Sequence, residues 1–408
     1  MKILLVSEDL PAAKLGGLAK QLIALGNALI DAGHEVTLMG RDSPSYDDEC
    51  NKEMGFRGPF ISGFGNPFKG WKEIQLGFFN PLKRPYFARH IAEAIRRLGK
   101  DFDVVHYHGH HPMVGYYIPQ KINFIQTRHD QGGDCIIDTR FRDGGVCVDR
   151  SPFACAKCIH SNPGFFRTII SAIAVNRYRK ETERAYALHP VIFVSDFLRR
   201  NYLRTMPNSR FLNSKIIHNF YDEGCLLRVR EKALRTEPSG EIGIHVAGRF
   251  VLEKGIAQLL DLLVPRLPTG WSINICGDGP LRKESERKYA SSRVRFLGHI
   301  SQQETLLSAA NSSVCIVPSV WEEAFGLVTL EALRLGKTCF ALARGGTPEL
   351  MRYADVGQLQ LFDDLQQLVN SLLAERTFKS YSNGSPSDVE THLTELMAIY
   401  QRNQKERA

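Results

Sequence analysis

Apolar positions recur along this chain with two different spacings, and the two spacings alternate. The apolar run 3–6 is short and continuous, as in a buried strand, whereas residues 17–32 carry apolar side chains at the spacing of one helix face. Gly33 ends this predicted helix, and 35–39 is the next predicted strand. Because strands and helices alternate, the pattern predicts parallel sheets whose strands are joined by crossover helices.

The same alternation continues to the end of the chain. Further strands are predicted at 104–107, 124–127, 191–194, 242–247, 272–276, 294–297, 314–317 and 338–342. Residues 43–85 are rich in Gly, Pro and aromatic residues and are predicted as an irregular insertion. At 408 residues the chain is too long for one ordinary core, so we expect two domains, 1–210 and 211–389, followed by a terminal helix at 390–401.

The net charge of +8 belongs to the first half of the chain. Residues 1–210 hold 29 Lys and Arg against 21 Asp and Glu, while residues 211–408 hold 23 of each. Cations mix with aromatic side chains in 68–84 and 176–180, which makes an anionic membrane surface a candidate partner; an ordinary solvated surface is the alternative. No module that reads nucleic acid is recognised, so we expect no nucleic-acid partner.

The first residues and the hydropathy of the chain indicate its compartment. The start lacks the apolar core of a signal peptide, and no apolar run reaches the length of a membrane-spanning helix. We therefore expect a cytoplasmic protein, with the inner face of the cell membrane as a second candidate location.

Two carboxylates, Glu323 and Glu331, lie on either side of a predicted loop-to-helix junction. The apolar strand 313–317 precedes them, so the junction is predicted at the carboxyl edge of a parallel sheet, where open α/β folds bind ligands. Glu331, more than one turn into the helix, can accept two hydroxyl hydrogen bonds from a ribose, and Glu323 can reach another part of the same ligand. Amide groups at the helix start suit a phosphate. The spacing indicates a nucleotide-sugar pocket; two solvated glutamates are the alternative.

The stretch 318–332 resembles the E-x7-E region of the retaining glycosyltransferases of family 4, which have the GT-B fold. Further stretches resemble motifs of this family in their order: 16–17, 33–36, 106–108, 127–130, 248–256, 275–280, 296–300 and 345–350. The resemblance covers roughly residues 1–360. It implies an α/β protein of the GT-B class, with two Rossmann-like doubly wound domains facing across a cleft. In this family the terminal helix crosses back onto the first domain.

The resemblance also implies roles for single residues. A diphosphate leaving group needs positive charge, which Arg249 and Lys254 can supply after strand 242–247. With them, Glu323 at the donor sugar and His108 are the candidate catalytic residues. The candidate donor-binding residues are Gly16, Gly17, Gly298, Ile300, Phe325, Gly326, Leu327 and Glu331. The candidate acceptor-side residues are His111, Thr127 and His129.

The reaction implied is a hexosyltransferase-type transfer from a nucleoside-diphosphate sugar with retention of anomeric configuration. UDP is the favoured nucleotide and GDP the next. The expected acceptor is a saccharide or lipid-linked molecule in bacterial cell-surface polysaccharide or lipopolysaccharide synthesis. No catalytic metal is expected, because Arg249 and Lys254 can replace one at the diphosphate. A nucleotide-sugar epimerase of the same fold and a non-catalytic nucleotide-sugar-binding protein are the alternatives.

Four of the nine cysteines cluster in a loop rich in Gly and Asp. They are Cys135, Cys147, Cys155 and Cys158. A C-x2-C pair with two further thiolates can hold a tetrahedral zinc ion, which would be structural because four thiolates leave no open position. The alternative is four thiols in an irregular loop without a metal.

Overall fold

The structure is a computed structural model, and it describes ten stretches of the chain: 1–10, 16–42, 54–65, 82–133, 135–159, 164–206, 213–221, 223–233, 241–381 and 389–405. Much of the predicted insertion 43–85 lies outside these stretches, as does most of the aromatic and basic segment 68–84.

Strands and helices alternate through the described residues. The strands are β1 (Lys2–Val6), β2 (Glu35–Arg41), β3 (Phe60–Phe64), β4 (Val104–Tyr107), β5 (Phe124–Arg128), β6 (Phe141–Arg142), β7 (Gly145–Val146), β8 (Val191–Phe193), β9 (Ser214–Ile216), β10 (Ile242–Ala247), β11 (Trp271–Cys276), β12 (Val294–Gly298), β13 (Val314–Val317), β14 (Thr338–Leu342) and β15 (Leu359–Phe362). The α-helices are α1 (Gly17–Asp31), α2 (Arg84–Leu98), α3 (Pro152–Ile159), α4 (Phe165–Leu188), α5 (Asp196–Thr205), α6 (Glu223–Ala233), α7 (Ile256–Leu263), α8 (Arg282–Tyr289), α9 (Gln302–Ala310), α10 (Leu327–Arg334), α11 (Leu365–Ala374) and α12 (Val389–Lys405).

The chain divides into two compact units. Unit 1 consists of Met1–Arg140, Val148–Phe220 and Asp388–Ala408, and unit 2 consists of Phe141–Cys147 and Tyr221–Ser387. The boundary predicted from the sequence, at residue 210, lies ten residues before Phe220, where this segment of unit 1 ends. The boundary moves because β9 pairs in parallel with β8 and so belongs to the first sheet.

Unit 1 is built on a seven-stranded sheet with the order β3-β2-β1-β4-β5-β8-β9, in which every pairing is parallel. Side chains of α2 and α4 pack with those of β4 in one core cluster. Side chains of α1 and α12 form a second cluster with those of β2, β5 and β8. Helices therefore cover both faces, which is why the strands read as continuous apolar runs.

The strand β3 differs from the sequence-based expectation, which placed residues 43–85 in an irregular insertion. Phe60–Phe64 pairs in parallel with β2 at the edge of the sheet. Gly63 permits this approach, because a Cβ added to it would lie 2.3 Å from the Met39 side chain. A short edge strand containing Gly has a weak pattern, and the sequence alone does not distinguish it from a loop.

Unit 2 is built on a six-stranded parallel sheet with the order β12-β11-β10-β13-β14-β15. Its core joins β10, β11 and β13 with α7 and α11. The prediction of two parallel α/β domains is thereby confirmed. None of the helices in the described stretches is long and apolar enough to cross a membrane.

Candidate functional site

In unit 2 the strand order reverses between β10 and β13. The chain leaves β10 toward β11 on one side, and it leaves β13 toward β14 on the other. Crossover connections therefore diverge above these two strands, and a crevice opens at their carboxyl ends, where doubly wound sheets bind ligands. The loop after β10 carries Arg249 and Lys254, and the loop after β13 carries Glu323. Sheet order thus brings together two motifs that lie about 70 residues apart.

Glycine allows these two loops to touch. Gly255 has φ 67°, and a Cβ added to it would lie 2.0 Å from the carbonyl oxygen of Pro318. The Val320 N–H donates to the carbonyl oxygen of Glu253 at 3.0 Å. Since an L side chain disfavours this φ and would also clash, glycine is required at position 255 for both reasons.

Lys254 and Glu323 form an ion pair across the two loops, with Nζ 2.6 Å from Oε1. The Ser319 hydroxyl donates to the same oxygen at 2.7 Å, and Nζ of Lys254 lies 4.8 Å from the centroid of the Trp321 ring. Burial acts to raise the pKa of the Glu323 carboxyl, but the Lys254 charge and these hydrogen bonds outweigh burial and lower that pKa. Glu323 is therefore a fixed, ionised acceptor.

A pair of glycines, Gly345 and Gly346, supports the Glu323 loop from the other side. The Gly346 N–H donates to the carbonyl oxygen of Glu323 at 2.7 Å. A Cβ on Gly345, which has φ 63°, would lie 2.1 Å from that same oxygen. The Gly-Gly-Thr-Pro motif thus acts by holding the backbone of the glutamate loop.

Gly326 lies at the start of α10, and Glu331 lies more than one turn into this helix. Gly326 has φ 101°, so it turns the chain into the helix in a conformation that L side chains rarely adopt. The Tyr221 hydroxyl, which is not among the predicted site residues, lies beside the Glu331 carboxylate and can donate a hydrogen bond to it. Burial and the charge of Glu331 raise the pKa of the Tyr221 hydroxyl, which also accepts a hydrogen bond from the Gln302 amide.

The remaining donor-side residues of unit 2 have different surroundings. Arg249 is exposed, and no described residue pairs with its guanidinium. Phe325 is buried and Leu327 is half-buried at the start of α10. The Gly298 carbonyl already accepts a hydrogen bond from the Gly277 N–H at 2.7 Å, and Ile300 is half-buried. Backbone contacts from positions 298 and 300 to a base stay a prediction.

In unit 1 the strand order reverses between β1 and β4. Gly16 and Gly17 are exposed at the start of α1, and Gly16, the N-cap residue, has no side chain with which to cap the first amide groups. No described atom lies within 4 Å of a Cβ placed on Gly16, so packing does not require glycine there. A role of these amides at the diphosphate stays a prediction.

Several histidines follow β4 at the carboxyl edge of the unit 1 sheet, and His110 is the one that contacts two carboxylates. Its Nδ1 lies 2.5 Å from Oδ2 of Asp130, and its Nε2 lies 3.0 Å from Oδ1 of Asp9. Burial alone would lower the pKa of His110, but the two carboxylates raise it well above its usual value, so the ring is an imidazolium. His110 has these two partners because β4 lies between β1 and β5, whose ends supply Asp9 and Asp130. The predicted roles of His108 and His111 at the donor or acceptor stay predictions.

The predicted catalytic histidine, His108, and the predicted acceptor-side His111 are buried, and the predicted acceptor-side His129 is half-buried. His108 Nδ1 lies 2.9 Å from His129 Nε2, so one ring donates to the other. Burial and neighbouring cationic groups lower the pKa of His129 to about 3 and that of His108 well below its usual range. His111 is fully buried with its ring centroid 4.8 Å from that of Phe87.

Thr127 is also turned inward. Its hydroxyl lies 2.7 Å from Nε2 of His106, whose Nδ1 lies 2.7 Å from the Tyr400 hydroxyl on α12. The structure therefore places Thr127 in a buried chain of hydrogen bonds that ties the terminal helix to β4 and β5. Direct contact of Thr127, His111 or His129 with an acceptor stays a prediction.

The described residues contain one group suited to a metal by distance, formed by His110, Asp130 and Asp138, whose ligand atoms lie within 4.8 Å of one another. Two features oppose a cation there. The His110 ring is protonated, and the Arg128 guanidinium lies 2.8 Å from Asp130. A bound cation would have to displace both positive charges.

Three of the four loop cysteines, Cys135, Cys155 and Cys158, belong to unit 1, and Cys147 belongs to unit 2. The described sulfur atoms of the three in unit 1 do not all lie within 4.8 Å of one another. The Cys155 sulfur accepts a hydrogen bond from the Arg179 guanidinium at 3.2 Å. A tetrahedral zinc ion needs four converging ligands, and zinc binding by these cysteines stays a prediction.

Comparison with known proteins shows which family this chain is related to. Among relatives, an uncharacterised glycosyltransferase of Methanocaldococcus jannaschii is 25% identical over 420 residues, covering 95% of this chain and 93% of that protein. The sulfoquinovosyl transferase of Arabidopsis thaliana is 33% identical over 115 residues, which is 28% of this chain and 22% of that protein. The match thus spans less than a quarter of the length of the Arabidopsis relative.

A solved structure, that of Anabaena HepE in complex with UDP, has the same fold, with a TM-score of 0.57 at 16% identity over 100% of this chain and 94% of that one. Two family models match as well. The model described as "Glycosyl transferases group 1" matches residues 241–374, and the model described as "Glycosyltransferase Family 4" matches residues 15–223, just over half of the chain. The protein is therefore a glycosyltransferase with the GT-B fold and belongs to glycosyltransferase family 4.

Proposed function

We propose that this protein transfers a sugar, with retention of anomeric configuration, from a UDP-sugar to a saccharide or lipid-linked acceptor. The observation that carries the proposal is the Lys254–Glu323 ion pair at the switch point of unit 2, beside the exposed guanidinium of Arg249. Two cations and one ionised acceptor lie there within two neighbouring loops. This is the combination that a diphosphate leaving group and the hydroxyls of a donor sugar require.

The positive groups have distinct tasks in this proposal. Arg249 forks onto the diphosphate in a bidentate contact, while Lys254 acts as a compact charge at the leaving oxygen. Since these cations neutralise the leaving group, the transfer needs no resident metal. Glu331 binds the ribose hydroxyls, and the Tyr221 hydroxyl holds its carboxylate in place.

The environment of Glu323 supports same-face attack over a covalent enzyme intermediate. Its Oε1 is engaged by Lys254 and by the Ser319 hydroxyl, so its charge is partly compensated. An oxygen held in this way suits a hydrogen bond to a sugar hydroxyl better than attack on the anomeric carbon. The leaving phosphate then accepts the proton of the acceptor hydroxyl as the new glycosidic bond forms on the same face.

The nucleotide and the acceptor are proposed from a structural neighbour and from the charge distribution of the chain. UDP is proposed first because HepE, which has the same fold, was crystallised with UDP. A lipid-linked acceptor of cell-surface polysaccharide or lipopolysaccharide synthesis is proposed because the excess positive charge lies in residues 1–210, and anionic carriers complement it.

Calorimetry with UDP, GDP and ADP tests the nucleotide, and the expected order is UDP tightest. Transfer is tested by incubating the protein with UDP-sugars and a bacterial lipid extract, followed by NMR of the product's anomeric proton. Retention supports the mechanism. Inversion, or release of UDP and free sugar that no acceptor accelerates, would overturn the proposal, and a changed sugar nucleotide without acceptor would indicate an epimerase.

A further inference from the structure

Helix α4 exposes large apolar side chains along one face. Positions 166, 170, 173, 177, 180 and 184 follow one another at intervals of three and four and so share that face. Phe166, Ile170 and Ile173, which occupy the first half, are 80%, 53% and 65% exposed. The second half of the same face carries exposed cations, namely Arg177, Lys180 and Arg184.

The inward face of α4 makes this exposure unusual. It includes small and polar residues, among them Thr168, Ser171, Ala172 and Thr182. A helix that serves only its own core places its large apolar residues inward. Here the largest aliphatic and aromatic residues of the first three turns point to solvent, so the core of unit 1 does not account for them. Contiguous exposure of this kind marks an interaction surface.

Helix α2 repeats the arrangement. Leu82, just before the helix, is 48% exposed and Tyr86 in its first turn is 61% exposed. Exposed cations follow toward and just past the end of the helix, at Arg89, Arg96 and Lys100. One exposed acid, Glu93, interrupts this series.

The two helices pack on either side of the segment 112–117, which carries Tyr117. The Arg89 guanidinium on α2 lies 5.3 Å from the centroid of the Tyr117 ring. The Tyr117 hydroxyl donates to Glu181 on α4 at 3.1 Å, and Glu181 also pairs with Arg177 at 2.7 Å. The exposed sides of α2 and α4 therefore form one surface, which we call the α2–α4 face.

The direction of the two helices determines where the apolar and the basic ends of the α2–α4 face lie. Each helix leads into a strand of the parallel sheet, α2 into β4 and α4 into β8, so each runs antiparallel to the strands. Their first turns consequently lie at the carboxyl edge of the sheet, the edge that carries His110. The apolar ends of both helices lie toward this edge, and the basic ends lie away from it.

We propose that the α2–α4 face docks unit 1 on an anionic lipid bilayer. Apolar side chains enter the interface at one end, and six basic residues meet lipid phosphates at the other. The two helices carry three acids, namely Glu93, the half-buried Glu183 and the Arg177-paired Glu181, so the six basic residues leave an excess of positive charge. Two other partners fit this face less well than a bilayer. A second copy of the chain would bring two positively charged patches together, which is unfavourable. A soluble polyanion would leave the apolar half of the face exposed to water. The proposal depends neither on the nucleotide nor on the acceptor.

The test is flotation of the full chain with vesicles of phosphatidylcholine, with or without about a third phosphatidylglycerol. Wild-type protein should float with the anionic vesicles. The triple variant R177Q/K180Q/R184Q should bind them about a hundredfold more weakly, since each basic residue near such a surface contributes roughly fivefold. The triple variant F166S/I170S/I173S should lose the binding that survives high salt.

The matched control is K283Q/R287Q/R295Q, which removes three exposed charges from unit 2. It should float like wild type, and UDP calorimetry should show that all variants retain a folded unit 2. Equal loss in the control, or no flotation of wild type, would overturn the proposal. So would concentration-dependent dimerisation that F166S/I170S/I173S abolishes without any vesicle binding, because the face would then join two copies of the chain.

Discussion

Lys254 and Glu323 form an ion pair of 2.6 Å although 69 positions separate them in the chain. Neither loop would hold its charged residue in place alone. The contact depends on β10 and β13 being neighbours in the sheet and on Gly255 letting the loops approach. Charged groups that are held in place before the reaction begins usually contribute the largest part of the transition-state stabilisation in such a site.

Replacing Glu323 by Gln should lower kcat by about 10²–10³-fold and change the UDP affinity by less than about fivefold. The carboxylate is directed at the sugar, and its loss also leaves Lys254 without its partner. Steady-state kinetics paired with calorimetry separates the two effects. Glu375→Gln, an exposed change of equal charge on unit 2, is the control. Equal losses of binding and turnover would show that Glu323 serves the nucleotide.

Replacing Glu331 by Ala should weaken UDP binding by about 10–100-fold, since a hydrogen bond to a charged group contributes about 1.5–3 kcal/mol. Tyr221→Phe should weaken it by only a few fold, because this change removes the group that orients Glu331 and leaves the carboxylate. Calorimetry with UDP measures both variants. Unchanged affinity in Glu331→Ala would contradict the ribose assignment.

Replacing Gly255 by Ala should destabilise unit 2 by about 3 kcal/mol or more, because strain at positive φ adds to the clash with the Pro318 carbonyl. Gly270 is the control, since it has φ 80° but open space around its Cβ position. Gly270→Ala should cost only about 1 kcal/mol. Urea unfolding measures both changes, and equal costs would mean that the two loops do not need this close approach.

His110 should make the stability of unit 1 depend on pH. Its folded pKa is raised, so its ion pairs stabilise the fold fully below the ordinary imidazole value of about 6.5, and this contribution is lost as pH rises through the folded pKa. His110→Asn should therefore cost about 3 kcal/mol near pH 6 and less at alkaline pH. Urea unfolding across this range, with exposed His299→Asn as control, tests the sign. A cost that grows with pH would contradict it.

Local patterns were sufficient for part of this molecule. The lengths and spacings of apolar runs determined the order of strands and helices, because burying one face of each element imposes a local period. The same reasoning placed Arg249, Lys254 and Glu323 in loops that follow strands, and Glu331 in the helix after the second of these loops. It failed for β3, whose pattern is weak because the strand lies at an edge.

Contacts between distant loops were decided only by the tertiary structure. The tertiary structure gave His110 two carboxylate partners, placed Tyr221 beside Glu331, and joined Thr127 to Tyr400 through His106. Spacing within the cysteine loop likewise could not establish whether its sulfur atoms converge. Protonation and hydrogen bonding depend on which groups lie within a few ångströms, and non-local strand pairing sets those distances.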